Sequence, residues 1–206
     1  GRLGPARAVA TGLISPRAML GATFAALALA AVAGLGLVYY GGWGLVILGA
    51  ASLLGALVYT PLAYHGLGEI FALVFFGFVA VLGTYYVQAG WPAPPAAWFA
   101  ATACGLLAAN ILLVNNIRDL GTDALAGKRT LAVRFGRKFG QGLYAFNIGI
   151  TIAVTFLFFR IDRSLWFVPA LTVAVVLGVF FINALGRIAD GDGPRFNRLL
   201  AQSAQF

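Results

Sequence analysis

Residues 18–58 read AMLGATFAALALAAVAGLGLVYYGGWGLVILGAASLLGALV and contain no charged side chain. The apolar character continues as far as Ile117, and Glu69 is the only formal charge between Ala18 and Ile117. A transmembrane helix needs roughly 20 apolar residues, so this interval has room for about four crossings. Lipid offers the backbone no hydrogen-bond partners, so these crossings should be helices. A barrel would need alternating polar and apolar residues, which these runs lack.

The composition excludes an ordinary soluble domain, because 61% of the residues are hydrophobic, only 10% are charged and the mean hydropathy is +0.92. We predict an all-α, polytopic transmembrane bundle that forms a single membrane-embedded domain over residues 1–206. Turn signals, among them Pro61, separate the predicted spans. There are six of them, at roughly 18–39, 42–58, 68–89, 96–116, 140–159 and 165–186.

Several classes of site are excluded by residue counts. Cys104 is the only cysteine and His65 the only histidine, so the sequence has neither a disulfide framework nor a zinc cluster. The net charge of +8 is compatible with a nucleic-acid partner. In a chain this apolar it more simply indicates basic loops on the cytoplasmic side. The predicted spans place twelve of the fourteen Lys and Arg residues on one face, which supports that orientation.

A polar stretch follows the apolar interval: residues 115–136 read NNIRDLGTDALAGKRTLAVRFG. Asn115, Asp119 and Asp123 are four residues apart and would share one face of a helix, and Asn116 lies one turn before Asp119. Carboxylate and amide oxygens are ligands that Mg²⁺ prefers. The stretch is therefore a candidate magnesium site.

With the basic residues that follow, the stretch can also be interpreted as a diphosphate site. Lys128 and Arg129, with Arg134 further on, could bind a phosphate, and Mg²⁺ with such cations stabilises a diphosphate as a leaving group. The simpler alternative is a charged loop in which Asp119 and Asp123 pair with Arg118 and Lys128. Spacing alone leaves both open.

The stretch closely resembles the second aspartate-rich motif of the UbiA-type intramembrane prenyltransferases. The Asn-Asn-x-Arg-Asp and Gly-Lys-Arg-Thr-Leu-Ala-Val-Arg strings are most similar to the branch that prenylates 1,4-dihydroxy-2-naphthoate in menaquinone synthesis. The segments Gly66–Glu69 and Arg2–Arg7 also resemble parts of that family. The resemblance thus covers nearly the whole chain.

The resemblance implies a bundle of about nine transmembrane helices around a cavity that opens to lipid. Two aspartate-rich loops would bind Mg²⁺ and a polyprenyl diphosphate at the cytoplasmic side of a bacterial inner membrane. Ionisation would give an allylic cation, which the naphthoate ring attacks with loss of carbon dioxide, giving demethylmenaquinone. The implied partners are polyprenyl diphosphate, 1,4-dihydroxy-2-naphthoate and the lipid bilayer, and no nucleic acid.

Positions that match the family's motif take on expected roles. Asp119 and Asp123 would hold Mg²⁺, with Asn115 and Asn116 as oxygen ligands or orienting residues. The residues expected to contact the diphosphate are cationic: Lys128, Arg129, Arg134, Arg2 and Arg7.

Glu69 is costly within an apolar interval and therefore needs compensation or a task. It would orient the substrate hydroxyls, help to bind metal, or only cap a helix. Tyr59, Tyr64 and His65 lie in the predicted loop at 59–66 and would line the pocket of the aromatic substrate, or would be ordinary interface residues.

The sequence also departs from the family pattern. The family's first two helices and its first aspartate motif would precede Gly1, most of its last helix would follow Phe206, and the loop after Tyr59 lacks a cation-bearing insert. We therefore expect these residues to be part of a longer chain. Competing interpretations are a family member with another acceptor (4-hydroxybenzoate, haem or a chlorophyll precursor), a small transporter, and a structural membrane subunit.

Overall fold

The computed structural model describes residues 8–161, 167–189 and 192–203. These residues form helices and no strands, which confirms the predicted all-α architecture. In chain order the helices are α1 Pro16–Gly41, α2 Trp43–Tyr64, α3 Gly68–Ala89, α4 Pro95–Arg118, α5 Leu120–Leu125, α6 Leu131–Phe135, α7 Arg137–Ile161, α8 Phe167–Arg187 and α9 Gly193–Ser203.

Among the described residues, five helices are long and apolar enough to cross a bilayer: α1, α2, α3, α4 and the Arg137–Phe158 part of α7. The predicted span at 165–186 begins outside the described residues, and its described part is the apolar helix Thr172–Arg187. α1 has no buried residue, and its exposed surface is made of large apolar side chains such as Phe24, Leu29 and Val32. Such a surface is suited to lipid, and the chain is a multi-pass membrane protein.

The predicted boundary of the second span was wrong. We expected a loop at 59–66, but α2 continues to Tyr64 with Pro61 inside the helix. Proline removes one backbone N–H and crowds the preceding turn, so it usually ends a helix. The missing N–H would have donated to the Leu57 carbonyl one turn earlier, and only three residues of the helix follow Pro61. The imidazole Nδ1 of His65, 2.7 Å from the Pro61 carbonyl oxygen, provides that carbonyl with a donor.

Close packing between α3 and α4 depends on two glycines that face each other. The middle of α3, Leu73–Leu82, is a segment of π-helix that contains Gly77. A Cβ added at Gly77 would lie 2.4 Å from the Ala101 carbonyl oxygen, and one added at Gly105 would lie 2.5 Å from the Leu73 carbonyl oxygen. The two backbones therefore approach more closely than any side chain allows, as is common between membrane helices.

The buried core lies between α4, α7, α8 and α9. Leu113 and Val114 of α4 are fully buried, and they pack in one cluster with Tyr144, Phe181 and Phe196 from the other three helices. Two asparagines lie within the same interface: the Asn147 amide donates to the Asn110 side-chain oxygen at 2.8 Å, and the Asn110 amide donates to the Tyr144 carbonyl. α4 is therefore the central element, and its last turn is the place where the core meets the polar stretch.

The glycine contact predicts a difference between two matched substitutions. Gly105→Val should destabilise the protein by about 1–3 kcal/mol, because the side chain must displace the α3 backbone. Gly149→Val introduces the same β-branched residue in α7, where an added Cβ meets nothing within 4 Å, and should cost much less. Thermal unfolding of both variants in detergent micelles measures the difference, and equal melting temperatures would contradict the packing argument.

Candidate functional site

The polar stretch forms a continuous turn at the end of α4. α4 ends at Arg118 and α5 begins after Asp119. Helical hydrogen bonds nevertheless cross the junction, from the Asp119 N–H to the Asn115 carbonyl at 3.0 Å and from the Asp123 N–H to the Asp119 carbonyl at 2.7 Å. The four-residue spacing therefore keeps its helical geometry even though two separate helices contribute.

Asp119 is bound by the arginine that precedes it. Arg118 donates from Nε to one carboxylate oxygen at 2.9 Å and from Nη2 to the other at 2.7 Å. Its third contact runs from Nη1 to the side-chain oxygen of Asn197 on α9, at 2.7 Å. The side chains of Arg118 and Asp119 are only 1% and 10% exposed. A bidentate pair at this depth is held firmly, because separating the charges would leave both buried without compensation.

Asp123 makes a second, more accessible pair. The Lys128 ammonium lies 2.8 Å from one Asp123 carboxylate oxygen and 3.4 Å from the side-chain oxygen of Asn116. The Lys128 and Asp123 side chains are 21% and 15% exposed. Both pairings of the simple charged-loop alternative are thus present. A lysine ammonium and a metal ion compete for the same oxygens, so these carboxylates pair with the cation that is at hand.

Glu69 connects α3 to this cluster. The residue is 5% exposed, and its Oε1 accepts a hydrogen bond from the Asn116 amide at 2.8 Å. The other carboxylate oxygen, Oε2, is fully buried and has no hydrogen-bond partner within the described part of the chain. The side chain therefore contacts α4 rather than capping its own helix, where no side-chain cap is present.

Backbone contacts hold the basic segment against the end of α2. The Arg129 N–H donates to the Tyr64 carbonyl at 2.8 Å, and the Arg134 Nε donates to the Arg129 carbonyl at 3.1 Å. Gly66 adopts a φ of +81°, and a Cβ there would lie 2.8 Å from the Arg129 carbonyl oxygen, so only glycine fits without strain. The buried hydroxyl of Thr130 caps α6 through the Val133 N–H. The basic side chains are thus presented by a well-supported turn.

The other predicted site residues divide between this cluster and its surroundings. The Asn115 amide donates to the Ile111 carbonyl of its own helix, whereas Asn116 joins the cluster. Tyr59 packs against Phe71 with ring centroids 5.1 Å apart. Tyr64 and His65 are exposed at the end of α2. Arg2 and Arg7 lie outside the described residues.

Sequence reasoning missed the contributions of α7 and α9. Arg137 and Gln141 donate to backbone carbonyls at the end of α8, where a cation is favoured by the helix dipole. Arg137 also lies over the ring of Phe196, 5.4 Å from its centroid. These contacts fasten α9 to the bundle and so bring Asn197 to Arg118.

The oxygens that could hold a metal ion are those of Asp123 and Asn116. Both already contact one cation, the Lys128 ammonium, so the chemistry of the donor set fits Mg²⁺ at this position. Asp119 fits less directly, because Arg118 binds both of its oxygens. No three His, Cys, Asp or Glu side chains converge on one point in the ranges that the structure describes.

Comparison with known proteins finds one matching family and several similar relatives. The UbiA prenyltransferase family matches residues 2–201. The 1,4-dihydroxy-2-naphthoate octaprenyltransferase of Mycobacterium tuberculosis is 38% identical over 201 residues, covering 94% of this chain and 65% of that protein. The Escherichia coli protein of the same name is 41% identical over 145 residues, covering 66% of this chain and 47% of its own length.

A more distant relative is the 2-carboxy-1,4-naphthoquinone phytyltransferase of Synechocystis, 26% identical over 150 residues, which are 70% of this chain and 48% of that protein. The chain thus spans about half to two thirds of the length of the curated relatives that it matches. No solved structure matches it.

The two ion pairs around Arg118 and Arg195 predict different mutational costs. Arg118→Leu should lower the free energy of unfolding by about 3–5 kcal/mol, because it removes the charge and both hydrogen bonds that Arg118 provides to the buried Asp119 carboxylate. Arg195 pairs with Asp192 but is 68% exposed, so Arg195→Leu should cost less than about 1 kcal/mol. Denaturant titration in micelles compares the two variants, and a small loss for Arg118→Leu would show that the buried pair does not anchor the site.

Proposed function

The chain belongs to the UbiA prenyltransferase family, and from this premise we propose that it transfers a polyprenyl group from polyprenyl diphosphate to 1,4-dihydroxy-2-naphthoate. The ring carboxylate would leave as carbon dioxide, and the immediate product would be demethylmenaquinol, the reduced form of demethylmenaquinone. The names of the more similar relatives support this choice of acceptor. The rival acceptors within the family are 4-hydroxybenzoate, haem and chlorophyll precursors.

The observation that supports the proposal best is the cluster of Lys128, Asp123 and Asn116 at the end of an apolar bundle. Within the described part of the chain, Asn116 and Asp123 take two of the three N–H donors of the Lys128 ammonium. The Lys128 side chain is partly exposed, and a third donor of its ammonium can bind an anion that arrives from the membrane surface. A polyprenyl diphosphate has that anion at one end and an apolar chain at the other.

In this proposal, Lys128 and the exposed Arg129 and Arg134 bind the diphosphate oxygens. Asp123 and the Asn116 oxygen would hold Mg²⁺, and Asp119 would join them only if it exchanged its contacts with Arg118. When bound, the metal ion neutralises charge that develops on the departing diphosphate. Binding of the diphosphate to Lys128 also compensates the ammonium for the loss of Asp123, so the exchange leaves neither charge unpaired.

The reaction itself needs little from the apolar helices except exclusion of water. The C–O bond to the diphosphate breaks, and the allylic cation accepts an electron pair from the electron-rich ring. The new C–C bond forms at the carbon that bears the carboxylate, and loss of carbon dioxide returns the electron pair to the ring. Water would capture the cation, and the apolar side chains of the surrounding helices keep it away.

We place the site at the cytoplasmic face of a bacterial inner membrane. The basic residues of the cluster, Lys128, Arg129 and Arg134, follow the end of α4 and stand opposite the uncharged turns after α1 and α3. Positive charge near membrane helices favours the cytoplasmic side. Accessibility of a cysteine placed at Gly127 or at Gly42 to an impermeant thiol reagent tests this orientation.

Product analysis tests the proposed acceptor. The intact enzyme in lipid, supplied with Mg²⁺ and farnesyl diphosphate, should convert 1,4-dihydroxy-2-naphthoate to a prenylated, decarboxylated product and should leave 4-hydroxybenzoate unchanged. Asp123→Asn should reduce turnover by at least about a hundredfold, because it removes the charge of a metal-binding oxygen set. Release of carbon dioxide and mass spectrometry of the product provide the measurements. Transfer to 4-hydroxybenzoate instead would overturn the choice of acceptor.

Lys128→Ala should raise KM for the polyprenyl diphosphate much more than KM for the naphthoate. Loss of a charge-assisted contact of this kind is worth about 1.5–3 kcal/mol, or roughly a ten- to hundredfold change. Lys138→Ala is the matched control, because Lys138 is exposed at the start of α7. Steady-state kinetics with each substrate varied in turn separates the two effects, and a selective rise in the naphthoate KM would reassign Lys128.

A further inference from the structure

Glu69 is a buried charged group to which the proposed reaction assigns no task. It lies in the first turn of α3, and its Oε1 accepts a hydrogen bond from Asn116 of α4, 47 residues later in the chain. Burying a carboxylate at or near membrane depth costs free energy, so the position of Glu69 beside the cluster points to a role there.

The Asn116 amide has two chemically different ends, and both are used. Its Nδ2 donates to Glu69 Oε1 at 2.8 Å, while its oxygen faces the Lys128 ammonium at 3.4 Å. Rotated by half a turn, the amide would direct its N–H groups at the ammonium and its oxygen at the carboxylate. Both contacts would then be repulsive, because an ammonium has only donors and a carboxylate only acceptors. The contacts with Glu69 and with Lys128 therefore favour the same orientation of the Asn116 amide.

We propose that Glu69 is a positioning residue, which binds Nδ2 of Asn116 and so keeps the amide oxygen directed at the cation position of the diphosphate site, where it contacts the Lys128 ammonium in this structure and would contact Mg²⁺ once the diphosphate is bound. The proposal rests on the proposed function, since it concerns the same diphosphate site. It predicts that the useful property of Glu69 is its acceptor oxygen and that its charge and basicity are secondary.

The rival role for Glu69 is direct contact with the aromatic acceptor, through Oε2 as a hydrogen-bond acceptor or as a base. That oxygen is fully buried, so a substrate would have to displace protein atoms to reach it. Oε1 is already bound to Asn116. The geometry favours action through Asn116, and the two roles differ in what a glutamine at this position should do.

Two substitutions separate the roles. Glu69→Gln keeps an oxygen that can accept from Asn116 Nδ2, but removes the negative charge and the base. Glu69→Leu removes the acceptor and has a similar volume. We expect Glu69→Gln to keep kcat/KM within about tenfold of the wild type. Glu69→Leu should lose about ten- to a hundredfold more, the usual range for residues that support a ligand from behind. The loss should appear in KM for the polyprenyl diphosphate, with KM for the naphthoate unchanged.

A binding measurement gives a readout that does not depend on turnover. Farnesyl thiolodiphosphate, whose bridging sulfur resists ionisation, should raise the melting temperature of the wild type and of Glu69→Gln in the presence of Mg²⁺. The shift should be much smaller for Glu69→Leu. A wild type that binds this analogue without prenylating the naphthoate would refute the proposed acceptor reaction and leave the positioning role supported.

The Asn116→Ala variant distinguishes an effect that passes through Asn116 from a general loss of folding. If Glu69 acts through Asn116, the double variant Glu69→Leu/Asn116→Ala should bind the analogue no more weakly than Asn116→Ala alone. Additive losses would overturn the proposal. It would equally be overturned if Glu69→Gln were as impaired as Glu69→Leu, or if KM rose for the naphthoate only, since either result assigns Glu69 to the acceptor.

Discussion

The structure depends on one constraint, namely that charges buried at the edge of a membrane bundle must be compensated by other parts of the same chain. At the end of α4, Arg118 satisfies Asp119, Lys128 satisfies Asp123, and Asn116 satisfies one oxygen of Glu69. Each contact costs conformational freedom and desolvation, so none would persist unless the packing around it were rigid. The requirement explains why the polar stretch is ordered.

That rigidity comes from apolar packing around α4. Close approach at Gly77 and Gly105 fixes α4 against α3, and thereby brings Glu69 of α3 to Asn116 of α4. On the other side, the core shared with α7, α8 and α9 brings Asn197 to Arg118. Two opposite faces of one helix therefore determine the positions of its terminal polar side chains. The apolar packing of α4 therefore determines the geometry of the polar cluster at its end.

Sequence could predict those parts of the structure that depend on local composition. Hydropathy predicted the helices because lipid imposes the same requirement on every span, and the motif spacing predicted a helical turn through Asp119 and Asp123. It placed the end of α2 wrongly, because it took Pro61 as the end of the helix, whereas α2 continues for three residues beyond it. It could not identify the partners of Glu69 and Arg118, which come from residues 47 and 79 positions away. Those contacts follow from the packing of helices against one another.

The two aspartates have the same spacing and residue type, yet their surroundings assign them different roles. The Arg118 side chain is 1% exposed and contacts Asp119 through two hydrogen bonds, with a third to Asn197, so exchanging this partner would unfasten α9 as well. The Lys128 side chain is 21% exposed and flexible, so its ammonium can follow an incoming anion without disturbing any helix. The free energy needed to release a carboxylate is therefore lower at Asp123 than at Asp119. An enzyme that exchanges such a contact in every turnover should use the ion pair that needs less free energy to separate. Asp123 is accordingly the carboxylate that we expect to exchange its partner during turnover, and Asp119 the one that keeps the end of α4 in place.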